Sequence, residues 1–139
     1  LDFLAELTDW AHASSGSNRR AVLVGDLNIA PFETDVWNHK ALVRIVSHTP
    51  LECETLNRLR QTGGWTDAVR HLTPEPERIY TWWSYRSPDW AAADKGRRLD
   101  HVWVGPDLIS AVERWQVLRD ARGWTQPSDH VPLIVTLGI

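Results

Sequence analysis

Two residues that directly follow a short apolar run are suited to phosphate or metal chemistry. Asp26 and Asn28 come after Ala21–Val24 and Gly25. Such a run predicts a strand covered on both faces, and open α/β sheets place functional residues at the carboxyl ends of strands. Residues two apart point to the same side of an extended chain, so this carboxylate and amide are placed to hold a water or an oxygen-preferring cation. Taken alone, the motif favours a plain turn, because Gly, Asp and Asn are common turn residues.

A second acidic residue, Asp100, lies near the start of an alternating segment, Leu99–Val104. Alternation puts Asp100 on the same face as Val102 and Val104. A carboxylate on an apolar face is costly unless it is paired, so we expect Asp100 to have a His or Arg partner. The alternative is that this face is exposed and the opposite one is buried.

Asp129 and His130 lie at the start of the last predicted strand. Adjacent strand residues face opposite ways, so Ser128, Asp129 and His130 cannot form a hydrolase triad among themselves. The six His are scattered and there is no H-E-x-x-H motif or Cys pair, which argues against a zinc site. Taken alone, the Asp-His pair is typical of a polar strand end.

An aromatic segment, Ile79–Arg86, contains Tyr80, Trp82, Trp83 and Tyr85. Aromatic rings line sugar pockets or stack on nucleic-acid bases. A core strand is the commoner origin of such a run.

The elements that must position these residues are mixed helices and strands. We predict loops at Ser14–Asn18 and Ser87–Gly96, and an irregular segment with one short helix at Pro31–Pro50. Together the elements predict one layered α/β unit. Helical spacing covers Leu1–Ala13, Leu51–Gln61 and a further turn within Trp65–Leu72, and strand patterns cover Ala21–Val24, Ile79–Tyr85, Leu99–Val104, Ala111–Leu118 and Val131–Leu137.

The composition is that of a globular domain. The chain has 139 residues, 42% of them hydrophobic and 24% charged, enough for one domain with a core. No segment has the apolar length of a membrane span, and no signal peptide is visible, so no membrane partner is expected. The single cysteine, Cys53, cannot form an internal disulfide, which fits a reducing cytoplasm.

The charge pattern does not by itself indicate a nucleic-acid partner. The net charge is −3, so there is no global basic field. The cations are thirteen Arg against two Lys, and Arg suits bidentate phosphate contacts, although codon bias explains the excess equally well. The chain contains no methionine and opens in a helical pattern, so we expect it to be part of a longer chain.

The order of four motifs carries more information than any one of them. Gly25-Asp26-Leu27-Asn28, the Tyr80–Arg86 segment, Arg97–Val104 and Ser128–Leu133 follow one another at spacings that resemble the endonuclease/exonuclease/phosphatase superfamily. The Tyr-Thr-Trp-Trp-Ser-Tyr-Arg and Arg-Arg-Leu-Asp-His segments are most similar to exonuclease III-type apurinic/apyrimidinic endonucleases. The resemblance runs from the first strand to the C-terminus.

The resemblance implies roles for five polar residues. Asp26 positions or deprotonates the attacking water or assists the leaving group, and Asn28 contacts the scissile phosphate. Asp100 pairs with the catalytic His130 and orients it, and Asp129 helps to hold magnesium, or manganese in its place. We therefore expect Asp26, Asn28, Asp100 and His130 to be catalytic and Asp26, Asn28, Asp129 and His130 to surround the metal, all at one edge of a sheet.

The resemblance also implies a substrate pocket. Trp82, with Leu99 opposite, is expected to line the pocket that takes the base-free sugar. Arg97 stands where apolar residues often line that pocket in the family, which makes an abasic-sugar preference less certain than phosphodiester cleavage.

The fold implied is α/β, half of a four-layer deoxyribonuclease I-like sandwich: one mixed sheet with outer helices, residues 1–139 being the C-terminal part of a single domain. The function implied is magnesium-dependent cleavage of duplex DNA, 5′ to abasic sites and from 3′ ends, in the cytoplasm. A superfamily phosphatase acting on lipid or inositol phosphates and a non-catalytic DNA-binding or assembly half are the alternatives.

The family's first half carries an Asn, a metal-binding Glu and a catalytic Tyr, and the motifs that hold them do not occur in this sequence. We therefore expect an uncovered apolar sheet face, aggregation, self-association or binding of a complementary half, and no cleavage by the chain alone.

Overall fold

The computed structural model describes residues 1–14, 16 and 18–139. The predicted Ser14–Asn18 loop includes Ser15 and Ser17, which lie outside the described residues. Short 3-10 helices occupy Asn18–Arg20, Glu33–Asp35, Pro106–Ala111 and Arg119–Gly123. The α-helices are α1 (Asp2–Ser14), α2 (His39–Leu42), α3 (Pro50–Thr62), α4 (Ala68–Leu72) and α5 (Trp90–Ala93), and the strands are β1 (Val22–Asp26), β2 (Thr66–Asp67), β3 (Trp82–Trp83), β4 (Gly96–Arg97), β5 (Asp100–Val104), β6 (Val112–Val117) and β7 (Leu133–Leu137).

The strands confirm the α/β class but form three antiparallel ladders rather than one mixed sheet. The first has the order β1-β5-β2, and the others pair β3 with β4 and β6 with β7. Two-residue strands such as β3 contribute too few hydrogen bonds to extend a ladder far. The sequence had predicted a strand throughout Ile79–Tyr85 and no β2, α5 or β4.

A reciprocal pair of capping hydrogen bonds fixes the residue at which α3 begins. In α3, the Thr49 hydroxyl accepts from the Glu52 backbone N–H and the Glu52 carboxylate accepts from the Thr49 N–H, with Pro50 at the first helical position. Such a cap stabilises a helix by about 1 kcal/mol. Helices α1 and α3 pack together on one face of β1 and β5, over a core of Leu4, Ala11, Ile29, Leu56, Leu59, Trp65 and Trp103.

The opposite face of β1 is open. Strand β1 is an edge strand, and its outward residues Val22 and Val24 are 43% and 66% exposed. They line a groove with Val102, Leu133 and nearby β7 residues. The prediction that β1 is covered on both faces is therefore wrong for this chain, because the helices cover only one side. The expected uncovered apolar face is present only at β1, because Val102 and Val104 of β5 are buried against residues of β6 and β7.

A buried ionic network fixes the chain just before Asp100. The Arg98 guanidinium, fully buried, contacts Asp35 through Nε and Nη2 at 2.8 and 2.9 Å, and Asp67 through Nη1 at 2.8 Å. Arg70 Nη2 contacts Asp35 Oδ1, the same oxygen that Arg98 Nε contacts. This network anchors β2, α4 and the Glu33–Asp35 helix to the start of β5. No described helix is long and apolar enough to cross a membrane.

Candidate active site

Three of the predicted site residues meet at one end of the first sheet. Asp26 ends β1 and Asp100 begins β5, and antiparallel pairing makes them direct partners in the register. His130 reaches them from the segment before β7. One oxygen of each carboxylate and one ring nitrogen of His130 all lie within 4.8 Å of one another. This confirms the predicted clustering of these three residues.

Each ring nitrogen of His130 faces a carboxylate. Nδ1 lies 2.9 Å from Asp100 Oδ2, as predicted, and Nε2 lies 3.5 Å from Asp26 Oδ2. Burial alone would lower the pKa of His130, but the hydrogen bond to Asp100 and the charges of Asp100, Asp26 and Asp129 outweigh it and raise the pKa. The arrangement therefore favours an imidazolium between two carboxylates.

Thr81, which the sequence analysis overlooked, holds Asp100 in place. Its buried hydroxyl donates to Asp100 Oδ2 at 2.6 Å and accepts from the backbone N–H groups of Leu99 and Asp100. Its own backbone pairs with Arg97 on one side and Val131 on the other. The only available signal was its place in the aromatic motif, because its partners lie 16 residues or more along the chain.

Asp129 is tied to the aromatic segment. Its Oδ2 accepts from Trp82 Nε1 at 2.9 Å, and its carbonyl accepts from Trp83 N–H. It is not among the three groups whose ligand atoms converge, although its charge acts on His130.

Asn28 does not follow the extended geometry assumed for it. Its φ is 54°, in the left-handed region, and its backbone N–H donates to Asp26 Oδ1 at 2.9 Å. This is an Asx turn, so the turn interpretation is right and the two side chains do not share a strand face. The turn also orients Asp26, because it fixes one of the two carboxylate oxygens.

The predicted substrate residues separate into one buried and two accessible side chains. Leu99 is 4% exposed and packs in a core with Ala30, Val36 and Leu42 beneath Trp82. Trp82 and Arg97 are partly exposed neighbours in the β3–β4 ladder and line a separate groove. Leu99 supports Trp82 from below and is not among the residues that line this groove.

The donor set suits a hard cation in part. Two carboxylates near one another match the oxygen ligands that magnesium prefers. Both ring nitrogens of His130 already face carboxylates, Nδ1 at 2.9 Å from Asp100 and Nε2 at 3.5 Å from Asp26. The Asp100 Oδ2 atom already accepts from Thr81 and His130, which leaves Asp26 the more available carboxylate.

The sequence profile of the Endonuclease/Exonuclease/phosphatase family matches residues 1–130. The chain belongs to this family. A curated relative in the family, the exodeoxyribonuclease of Bacillus subtilis (strain 168), is 34% identical over 120 residues, which is 85% of this chain and 44% of that protein.

Solved structures agree with the family assignment. The 3′ phosphatase NExo (D146N) from Neisseria, bound to product DNA hairpin, superposes with a TM-score of 0.91 at 28% identity, covering 99% of this chain and 52% of that one. An AP endonuclease from Archaeoglobus fulgidus gives a TM-score of 0.86 at 27% identity, covering 98% and 53%. The chain thus spans about half the length of the family members it matches, and the predicted resemblance to exonuclease III-type enzymes is confirmed.

Proposed function

We propose that this chain carries the Asp-His part of the active site of a DNA-repair nuclease, which hydrolyses phosphodiester bonds 5′ to abasic sites and at 3′ ends of duplex DNA. The observation that carries the proposal is the Asp26–His130–Asp100 cluster. The chain's relatives and structural neighbours carry the names exodeoxyribonuclease and AP endonuclease, which supports phosphodiester hydrolysis as the reaction class.

The cluster suits phosphodiester hydrolysis because charge of both signs is preset. His130 Nε2–H points beside Asp26, where it can donate to a phosphoryl oxygen as negative charge develops. The Asx turn engages Asp26 Oδ1, whereas Oδ2 faces His130 Nε2 at 3.5 Å and is the oxygen placed to accept a proton from the attacking water. Asp100 and Thr81 hold the imidazole in position. Asn28 lies in the same turn and is assigned to the scissile phosphate.

Magnesium, or manganese in its place, is the proposed cofactor. Asp26 would hold it, because Asp100 is committed to His130 and Thr81, and the family resemblance adds Asp129 and the Asn28 amide as further ligands. When bound, the ion supplies charge neutralisation and a more acidic water. The cytoplasm is the proposed location, inferred from the unpaired Cys53 thiol.

The open valine face supports a further part of the proposal. We infer that, in the active protein, Val22 and Val24 are covered by the part of the family domain with which this chain does not align. We also infer that the chain alone does not cleave DNA. Apolar patches of this kind mark interfaces. A non-catalytic assembly half is the rival function that the same face favours.

A complementation assay tests the proposal. The chain is mixed with the part of the Bacillus relative that it does not match, and cleavage of an abasic duplex with magnesium is followed. We expect cleavage only with both pieces, and a loss of at least about 100-fold with His130→Gln. The exposed His12→Gln is the matched control. Turnover of an inositol phosphate instead of DNA would point to the phosphatase alternative, and no activity of either kind to the assembly role.

A further inference from the structure

We propose that Arg97, lying over the face of Trp82, binds a second phosphate of the nucleic-acid substrate, next to the phosphate that reacts. The inference rests on the proposed function only in placing the reacting phosphate at the Asp26–His130 cluster. It assigns the substrate class of the groove beside that cluster: a strand with two consecutive phosphates.

Arg97 is half-buried but lacks an anionic partner. No carboxylate oxygen lies within 4.0 Å of its guanidinium among the described residues, whereas the buried Arg70 and Arg98 both contact Asp35. Its Nη1 donates to the Val46 carbonyl and the Ser47 hydroxyl. Its Nε is buried and has no hydrogen-bond partner in the described chain.

Burial lowers the pKa of the Arg97 guanidinium, because no nearby carboxylate compensates for the water that it has lost. A partly desolvated cation without a carboxylate partner is stabilised by an anion, and charge-assisted bonds from guanidinium to phosphate are among the stronger ones in proteins.

The position of Arg97 relative to the cluster follows from strand pairing. Trp82 pairs with Arg97 on one side and forms a bridge with His130 on the other. Neighbouring strands lie about 4.7–4.9 Å apart, so the backbones of Arg97 and His130 are separated by roughly 10 Å. The Arg97 guanidinium lies over the Trp82 ring on the β4 side of β3, and His130 lies on the other side, so Arg97 is placed to contact a phosphate next to the one at the cluster.

The groove around Arg97 has the chemistry of a nucleic-acid strand site. It has a volume of about 580 Å³, and its lining includes Arg86, Lys95 and Arg97 but no carboxylate. The Arg97 guanidinium lies 5.1 Å from the Trp82 ring centroid, and Lys95 Nζ lies 4.9 Å from that of Trp37. Cations held over aromatic faces, in a chain of net charge −3, concentrate positive charge where a backbone and its bases can bind.

The proposed ligand follows from this lining. An apolar wall opposite Trp82 would suit a neutral sugar, but the wall contributed by β4 is a cation. The groove therefore favours a ligand that carries a second phosphate. A nucleotide with a single phosphate can occupy either the cluster or the position beside Arg97, but not both.

Ligand binding to the 139-residue chain tests the subsite without requiring turnover. The chain is labelled with 5-fluorotryptophan, the Trp82 signal is assigned with Trp82→Phe, and thymidine 3′,5′-bisphosphate and thymidine 5′-monophosphate are titrated by ¹⁹F NMR. We expect the bisphosphate to bind about tenfold more tightly or better, a preference that Arg97→Gln reduces to less than about twofold and Arg97→Lys partly retains. Arg114→Gln, an exposed cation on β6, should leave the preference unchanged.

The outcomes separate the subsite from the proposed function. Equal affinities for the two ligands in the unaltered chain, or an unchanged preference in Arg97→Gln with a native thermal transition, overturn the subsite. If the preference for the bisphosphate falls equally in Arg114→Gln, general surface charge explains the preference, and this result also overturns the subsite. His130→Gln should weaken both ligands in parallel; if it weakens neither while Arg97→Gln removes the preference, the subsite stands and the proposed function fails.

Discussion

Replacing Arg98 with Met should be among the most destabilising single changes in the chain. The change removes a fully buried guanidinium that contacts Asp35 twice and Asp67 once. Asp35 keeps Arg70, but Asp67 loses its cation. Breaking a buried ion pair from one side costs about 3–5 kcal/mol, because a buried charge is left uncompensated. Against a total stability of roughly 5–15 kcal/mol, this lowers the unfolding midpoint by about 10–20 °C.

Urea unfolding followed by circular dichroism at two pH values measures the effect. Burial alone would raise the pKa of Asp67, but the charge of Arg98, helped by His101, lowers it. A depressed carboxyl pKa contributes stability above the unfolded pKa that is lost as pH falls through the folded one. Without Arg98, burial dominates and Asp67 takes up a proton more readily. The deficit of the variant should therefore shrink at acid pH.

An exposed ion pair of similar length provides the control. Arg58 Nη2 lies 2.7 Å from Glu54 Oε1, yet both side chains are 67% exposed. Because water already solvates such a pair, Arg58→Met should change stability by no more than about 0.5 kcal/mol. If Arg98→Met costs as little as Arg58→Met, or if its deficit grows at acid pH, the account of the network is wrong.

Three further changes probe the site and the open face. By NMR titration, His130 should have a pKa above the ordinary value of about 6.5, and Asp100→Asn should lower it. Because a raised pKa stabilises the fold at low pH, that contribution should disappear as pH rises through the folded pKa; a normal pKa would contradict the cluster. Thr81→Val should reduce the free energy of unfolding by about 1–3 kcal/mol by leaving two backbone N–H groups unpaired, whereas Thr81→Ser should stay near the original; equal values would remove Thr81 from its role. Val24→Thr should reduce self-association in sedimentation experiments, and an unchanged distribution would mean that the open face is not the contact.

The positions of Asp26, Asp100 and His130 were predictable because each stands at the end of a strand with a local signature. Strand ends meet at sheet edges, so motif and element together placed the three residues near one another. The pairing of Asp100 with His130 followed from the cost of an unpaired carboxylate and from the family resemblance.

The features that escaped prediction depend on contacts distant in sequence or on a local turn. Asp35 and Arg70 look like ordinary surface charges in the sequence, and only the fold brings them to Arg98. The turn at Asn28 was foreseen from its residue types, but its left-handed backbone does not follow from them, because an extended chain after β1 fits the same residues. Helix α5 was missed although Asp89 provides a side-chain cap that the sequence displays. Which face of β1 is open depends on where the helices pack, and hydropathy alone does not contain that information.

The valine groove and the acid cluster are neighbours. Val24 and Val102 line a hollow that also includes Asp26 and Asp100. Any segment that covers the valines would therefore lie beside the acid cluster and could add its own side chains to it. Substrate would then be turned over only while the valines are covered. If a second chain provides the cover, the specific rate will fall on dilution, as expected for a bimolecular association. If the same chain provides the cover, the specific rate will not depend on protein concentration.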